Sequence, residues 1–210
     1  MSRTLAAAAA TFLLLLTGCS SDSGDSADAG DPSGSGGSTS ASADVHQVSG
    51  AGLTFEVPDS LQEVDADKVA DDTADDETVA DVAEQMGMST DQFNQYMKQV
   101  DLFLFDSEST GGFSTNVNVI PFPVPLPENS ALQQQLEQVG ATIVDTGETT
   151  TDAGDVTTIS YSLDMAGQSV EGQGIFVDLG DSSASITVSS SDRDTADEIA
   201  DGIVASLDQE

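Results

Sequence analysis

Between residues 141 and 190, apolar and polar side chains alternate in four successive runs, 141–150, 155–164, 168–179 and 183–190. Gly154, Gly167 and Gly180 fall between them. Period-two alternation sends neighbouring side chains to opposite faces of a strand, and a glycine at each junction suits a tight hairpin. Strands joined by such short connections pair antiparallel, so this part of the chain is predicted to be a meander. Its inward sets are expected to be Ile159/Tyr161/Leu163, Ile175/Val177/Leu179 and Ile186/Val188. A sheet of this kind needs other layers to bury its apolar surface, and the flanking sequence supplies helices.

Upstream, Leu53, Phe55 and Val57 alternate before Pro58 and predict a first strand. Residues 63–84 carry ten acidic side chains and one Lys. Val79, Val82, Ala83 and Met86 recur there at helical spacing, which predicts an amphipathic helix with an acidic outer face, ended by Gly87. Ser89 with Gln92 three residues later predicts a capping box, opening a second helix with the stripe Phe93, Tyr96, Met97 and Val100. Leu102-Phe103-Leu104-Phe105 is apolar on both faces and predicts a central strand covered on each side. The run from Ser114 to Ile120 predicts another, with Val117 and Val119 facing one way and Asn116 and Asn118 the other. From Pro121 to Pro127 every second residue is proline, which excludes an interior strand because the ladder donors are missing. Leu132, Leu136 and Val139 mark a third helix ended by Gly140, and a terminal helix opens near Ser191 and buries Ala196, Ile199, Ala200, Ile203 and Leu207. The expected fold class is α+β: a largely antiparallel sheet of six to seven strands flanked by helices, an α/β/α sandwich formed by one domain over 45–210.

The N-terminus has a different character. Arg3 precedes an apolar run from Leu5 to Leu16, too short to span a bilayer, which takes about 20 apolar residues. The run ends in Leu16-Thr17-Gly18-Cys19, which is similar to the bacterial lipobox. Residues 1–18 are therefore expected to be a lipoprotein signal peptide, with Leu16, Thr17 and Gly18 recognised by the signal peptidase. Cys19 is then the lipidation site, since only a thiol supplies the nucleophile for thioether attachment. It is the sole cysteine in the chain, so no intramolecular disulfide forms. Residues 20–44 contain nine Ser, five Gly, five Asp and four Ala, which cannot bury a core. With Cys19 they are expected to form a tether with a flexible-coil reach of about 28 Å. The protein would sit on the extracytoplasmic side of the cell membrane, held by acyl chains on Cys19.

Charge and residue supply narrow the function classes. There are 38 acidic against 4 basic side chains, a formal net charge of −34. Such a surface repels phosphates, so a nucleic-acid partner is excluded. The single histidine, His46, lies at the edge of the tether, and the string Gly167-Gln168-Ser169-Val170-Glu171-Gly172 misses the spacing of a nucleophile elbow. Lys68, Lys98 and Arg193 are too scattered for a phosphate clamp. Asp71, Asp72, Asp75, Asp76 and Glu77 cluster without the EF-hand order, and they suit a helix N-terminus instead. No catalytic residue, metal ligand or cofactor is assigned, and the chain is not expected to be an enzyme. Candidate ligand-facing residues are Phe93, Tyr96 and Met97 of the second helix with Phe122, Val124 and Leu126 of the proline segment.

The element order resembles the PsbP/Mog1-like α/β/α sandwich, and more narrowly the small actinobacterial lipoproteins of the LpqN/LpqT type. The residues that carry it are Leu-Thr-Phe-Glu-Val-Pro (53–58), Asp-Leu-Phe-Leu-Phe-Asp (101–106), Phe-Ser-Thr-Asn-Val-Asn-Val (113–119) and the closing Ile-Val-Ala-Ser-Leu (203–207). The chain departs from that pattern after the first strand, where Pro58-Asp59-Ser60-Leu61 stands in place of Pro-x-x-Trp. The resemblance implies an accessory or binding role, with an envelope lipid or a membrane-protein partner. The alternatives left open by the residues are a carboxylate-dependent secreted hydrolase and a structural surface lipoprotein without a ligand.

Overall fold

A computed structural model describes residues 44–64, 76–86, 88–106, 113–165 and 168–210. Strands β1 (Val45–Gly50) and β2 (Leu53–Pro58) form a hairpin, followed by β3 (Leu61–Val64). Helices α1 (Asp76–Gln85) and α2 (Thr90–Met97) come next, then β4 (Leu102–Asp106) and β5 (Asn116–Phe122). After α3 (Asn129–Gln138) the meander runs through β6 (Thr142–Thr151), β7 (Gly154–Met165), β8 (Gln168–Asp178) and β9 (Ser183–Ser190). Helix α4 (Arg193–Ser206) and a two-residue β10 (Asp208–Gln209) close the chain.

The strands make two sheets, a seven-stranded one of order β3-β4-β5-β9-β8-β7-β6 and a three-stranded one of order β1-β2-β10. Every pairing is antiparallel. The expected fold class is the one observed, and the meander strands lie in sequence order as their alternation requires. The hairpin β1–β2 turns on Ala51 and Gly52, both at positive φ (57° and 75°), the geometry that matches strand twist in a two-residue loop.

Register sorts side chains between the two faces of the large sheet. Val117, Val119, Ile175, Val177, Ile186 and Val188 share one face and form a core with Leu53, Phe55 and Val57 of β2 and with Ala196, Ile199, Ala200 and Ile203 of α4. Burying each of these large side chains contributes about 1.5–3 kcal/mol, which makes this the dominant core. Helix α4 is started by Asp192, whose carboxylate accepts hydrogen bonds from the Thr195 amide (2.9 Å) and hydroxyl (2.8 Å). Those bonds, the amide first, hold its pKa below the ordinary carboxylate value.

The opposite face is covered at its two ends. Over β4, the α1–α2 pair buries Val79, Val82, Ala83, Met86, Phe93 and Met97 against Phe103. The Phe93 and Phe103 rings meet edge to face at 5.7 Å. Over β7 and β8, Leu132 of α3 closes on Ile159 and Phe176. The α1 and α2 stripes are thus in the positions expected, and the Ser89–Gln92 capping box forms as predicted. Gly87 and Gly167 lie outside the described residues.

Four expectations need correction. The 102–105 strand is second from the edge, not central, because β3 adds outside it. It is apolar on both faces because Leu102 and Leu104 enter the main core while Phe103 lies under α2. The folded part contains three strands that alternation did not mark, β1, β3 and β10. Strand β5 runs on through Pro121 to Phe122, which pair with Ala184 and Ser183. Its ladder with β4 has already ended at Val119, so the proline has only β9 beside it. Finally, the three inward sets do not share a face: Ile159 lies opposite Gly174 while Ile175 lies opposite Thr158, so the β7 set points away from the β8 and β9 sets.

Candidate functional site

Between the two helical patches, the second sheet face is left open and forms a cleft. Its floor comes from alternate positions of β5 and β9, where Asn116 pairs with Ser189, Asn118 with Thr187 and Ile120 with Ser185. The next strand continues the same rows with Gly172, Gly174 and Phe176. Glycine is needed there. A Cβ on Gly172 would overlap the Tyr161 ring, and one on Gly174 would lie 2.8 Å from Phe176 Cε2. Two rings therefore lie over the sheet where side chains would otherwise stand.

One wall is Met86, Met88, Tyr96 and Phe113, and the other is Leu132 and Leu136 of α3 and Val139 at its C-cap with Leu163 and Val170 of the β7–β8 hairpin. The cleft holds a cavity of about 140 Å³. Among the described residues no charged side chain lines it, although the chain carries a net charge of −34.

The polar groups at the floor are largely without protein partners. Asn116 donates to the Ser114 carbonyl at 3.0 Å. Asn118 is 6 % exposed and Ser185 is 4 % exposed. Among the described residues, neither side chain has a hydrogen-bonding partner. Both tyrosines of the chain line the cavity. Burial pushes the Tyr161 phenol up to about 12. It pushes Tyr96 higher still, with the nearby Tyr161 hydroxyl adding to the effect. Both phenols are neutral hydrogen-bonding groups across the physiological range, and the site offers donors, acceptors and ring faces without charge.

Of the six candidate ligand-facing residues, only Tyr96 lines this cavity. Phe93 and Met97 are fully enclosed on the inner face of α2, where they pack against Phe103. Phe122, Val124 and Leu126 are partly buried along the crossover into α3. There Leu126 packs on the Leu132–Ile159–Phe176 cluster, and Ser183 donates to the Val124 carbonyl at 2.9 Å. The floor residues Asn118, Ser185, Thr187 and Ser189 and the wall residue Tyr161 were not among the candidates. Their signal is present in the sequence as matched polar alternation on 116–118 and 185–189.

The other chemistry-bearing residues stand apart. His46 Nδ1 lies 3.1 Å from Asp59 Oδ1, with both side chains open to solvent. Arg193 pairs with Glu171, and Lys98 is exposed. Among the described residues no group of three or more His, Cys, Asp or Glu could hold a metal ion, and no helix is long and apolar enough to cross a membrane. Leu16, Thr17, Gly18 and Cys19 fall outside the described residues, as do Lys68, Asp71, Asp72 and Asp75. The Asp76 and Glu77 side chains are likewise not described.

No known protein family and no curated protein matches the sequence. The solution structure of the cyanobacterial PsbP protein CyanoP from Synechocystis matches at 13 % identity and a TM-score of 0.51, over 84 % of this chain and 98 % of that one. A Bacteroides thetaiotaomicron protein matches at 10 % identity and a TM-score of 0.41, over 80 % and 48 % of the respective chains. A Pseudomonas aeruginosa protein of unknown function, described as a putative regulator, matches at 10 % and 0.36, over 42 % and 66 %. At these identities the likeness is one of architecture: the chain has a PsbP-like α+β fold.

Proposed function

We propose that this protein is a lipid-anchored extracytoplasmic binding module, an accessory protein without catalysis of its own, that presents its cleft to an envelope lipid or a membrane-protein partner. The observation that carries the binding reading is a cleft whose described lining is uncharged and whose floor holds the largely buried residues Asn118 and Ser185, in a chain of net charge −34. Surfaces kept neutral against such a background fit recognition better than solubility. The anchoring half rests on Leu16-Thr17-Gly18-Cys19 and the Ser/Gly/Asp run behind it, and the LpqN/LpqT-type resemblance supports the same placement.

Two measurements test the two halves. Cys19→Ser is expected to release the protein from the membrane fraction into the medium, and retention of the variant on membranes overturns the anchor. For binding, the lipoprotein is crosslinked in its own envelope and examined by native mass spectrometry. A co-purifying neutral lipid or a crosslinked membrane protein is expected. Consistent absence of both overturns the binding reading.

A further inference from the structure

The cleft also carries information about the size and chemistry of its occupant. At about 140 Å³ it is well below the 300–1,000 Å³ of pockets that enclose drug-sized molecules. It matches the roughly 150 Å³ cavities that take up a benzene ring. Its walls suit a ring, with aromatic faces at Phe113, Tyr161 and Phe176 and the adaptable sulfurs of Met86 and Met88.

A purely apolar occupant would leave the floor unsatisfied. Asn118 and Ser185, both residues more than nine-tenths buried, would have their carboxamide and hydroxyl cut off from water and gain nothing in return. An ionised occupant fares worse. Among the described residues no charged side chain lines the cavity to pair with it, and burial of an unpaired charge is strongly unfavourable.

Resting on the binding-module reading, we propose that the cavity is a binding site for an uncharged, single-ring compound bearing a hydroxyl or carbonyl oxygen. The ring lies between the α2 and α3 walls, and its oxygen exchanges hydrogen bonds with Asn118 and Ser185. A ring of this kind is a free small molecule or the head group of a longer apolar molecule whose tail leaves through the open side of the cleft.

The test uses four probes of one shape: benzyl alcohol, toluene, benzylamine and benzoate. Each is titrated into the unlipidated mature chain, residues 19–210, with binding read by NMR and by the shift in unfolding midpoint. Benzyl alcohol is expected to bind about tenfold more tightly than toluene, the value of one buried hydrogen bond, and to exclude benzoate and benzylamine. Asn118→Leu is expected to erase that preference while toluene binding remains. If Asn118→Leu does not fold, Ser185→Ala is expected to reduce the preference in the same direction. Leu136→Trp, which fills the cavity, is expected to abolish binding of both.

Equal binding of benzoate, tightest binding of benzylamine, or no binding of benzyl alcohol by the folded chain overturns the assignment. Protection by a neutral monoacylglycerol in place of benzyl alcohol does the same, in favour of an acyl chain. A chain that refuses benzyl alcohol yet crosslinks an envelope partner sinks this inference alone. A chain that binds it through Asn118 but carries no envelope ligand or partner sinks the reading beneath it.

Discussion

Gly172 and Tyr161 face each other across the β7–β8 ladder, and the missing Cβ of one makes room for the ring of the other. The arrangement removes a phenol from water. Its consequence is a dependence on alkaline pH with a definite sign. In the unfolded chain both tyrosines titrate near the ordinary value of 10, whereas in the folded chain Tyr161 is raised to about 12 and Tyr96 further. The folded state therefore holds protons that the unfolded state has released. Stability is complete below pH 10 and falls as pH rises through 12. Urea unfolding followed between these limits is expected to show this loss, and Tyr161→Phe is expected to reduce it. A flat profile would mean that the phenol reaches solvent.

Helix α2 supports the cleft from one side, and its start is built from two residues. The Ser89 amide donates to Gln92 Oε1 at 3.0 Å, and the Gln92 amide donates to the Ser89 hydroxyl at 3.3 Å. Ser89→Ala removes this cap and is expected to cost about 1 kcal/mol, with Ser89→Asp largely restoring it, as measured by thermal unfolding. This helix was legible in the sequence because its signals are local: a cap, a partner three residues on, and a stripe at fixed spacing. Strand β9 was legible to the residue for a similar reason, since alternation fills it from Ser183 to Ser190. Strand β3 was not, because its Gln62 and Glu63 open an acidic tract whose charges read as a helix surface. Strand β10 has two residues, which is below any periodic signal. The cleft floor failed to show for a subtler reason. Polar residues alternating with Val117 and Val119 normally face water, and only the placement of two separate helical covers turns Asn118 and Ser185 inward.

At the scale of the whole molecule, 38 carboxylates stand against 4 basic groups, and the described basic side chain that forms an ion pair is Arg193. Self-repulsion of this size opposes the compact state, and salt weakens it as the Debye length shrinks from about 10 Å at 0.1 M to about 3 Å at 1 M. The unfolding midpoint is expected to climb steadily with sodium chloride over that range. Benzyl alcohol affinity is expected to stay almost unchanged, because the described lining of the cleft carries no charge to screen. A midpoint insensitive to salt would show that the carboxylates are too widely spread to repel. The neutrality of the cleft and the location of both tyrosines have a practical side as well. The chain contains no Trp, so its near-ultraviolet emission comes from two tyrosines and the weaker phenylalanines. Tyr96 and Tyr161 both line the one cavity. The protein is thus its own optical probe: a molecule entering the cleft changes most of the light the chain emits, without any label.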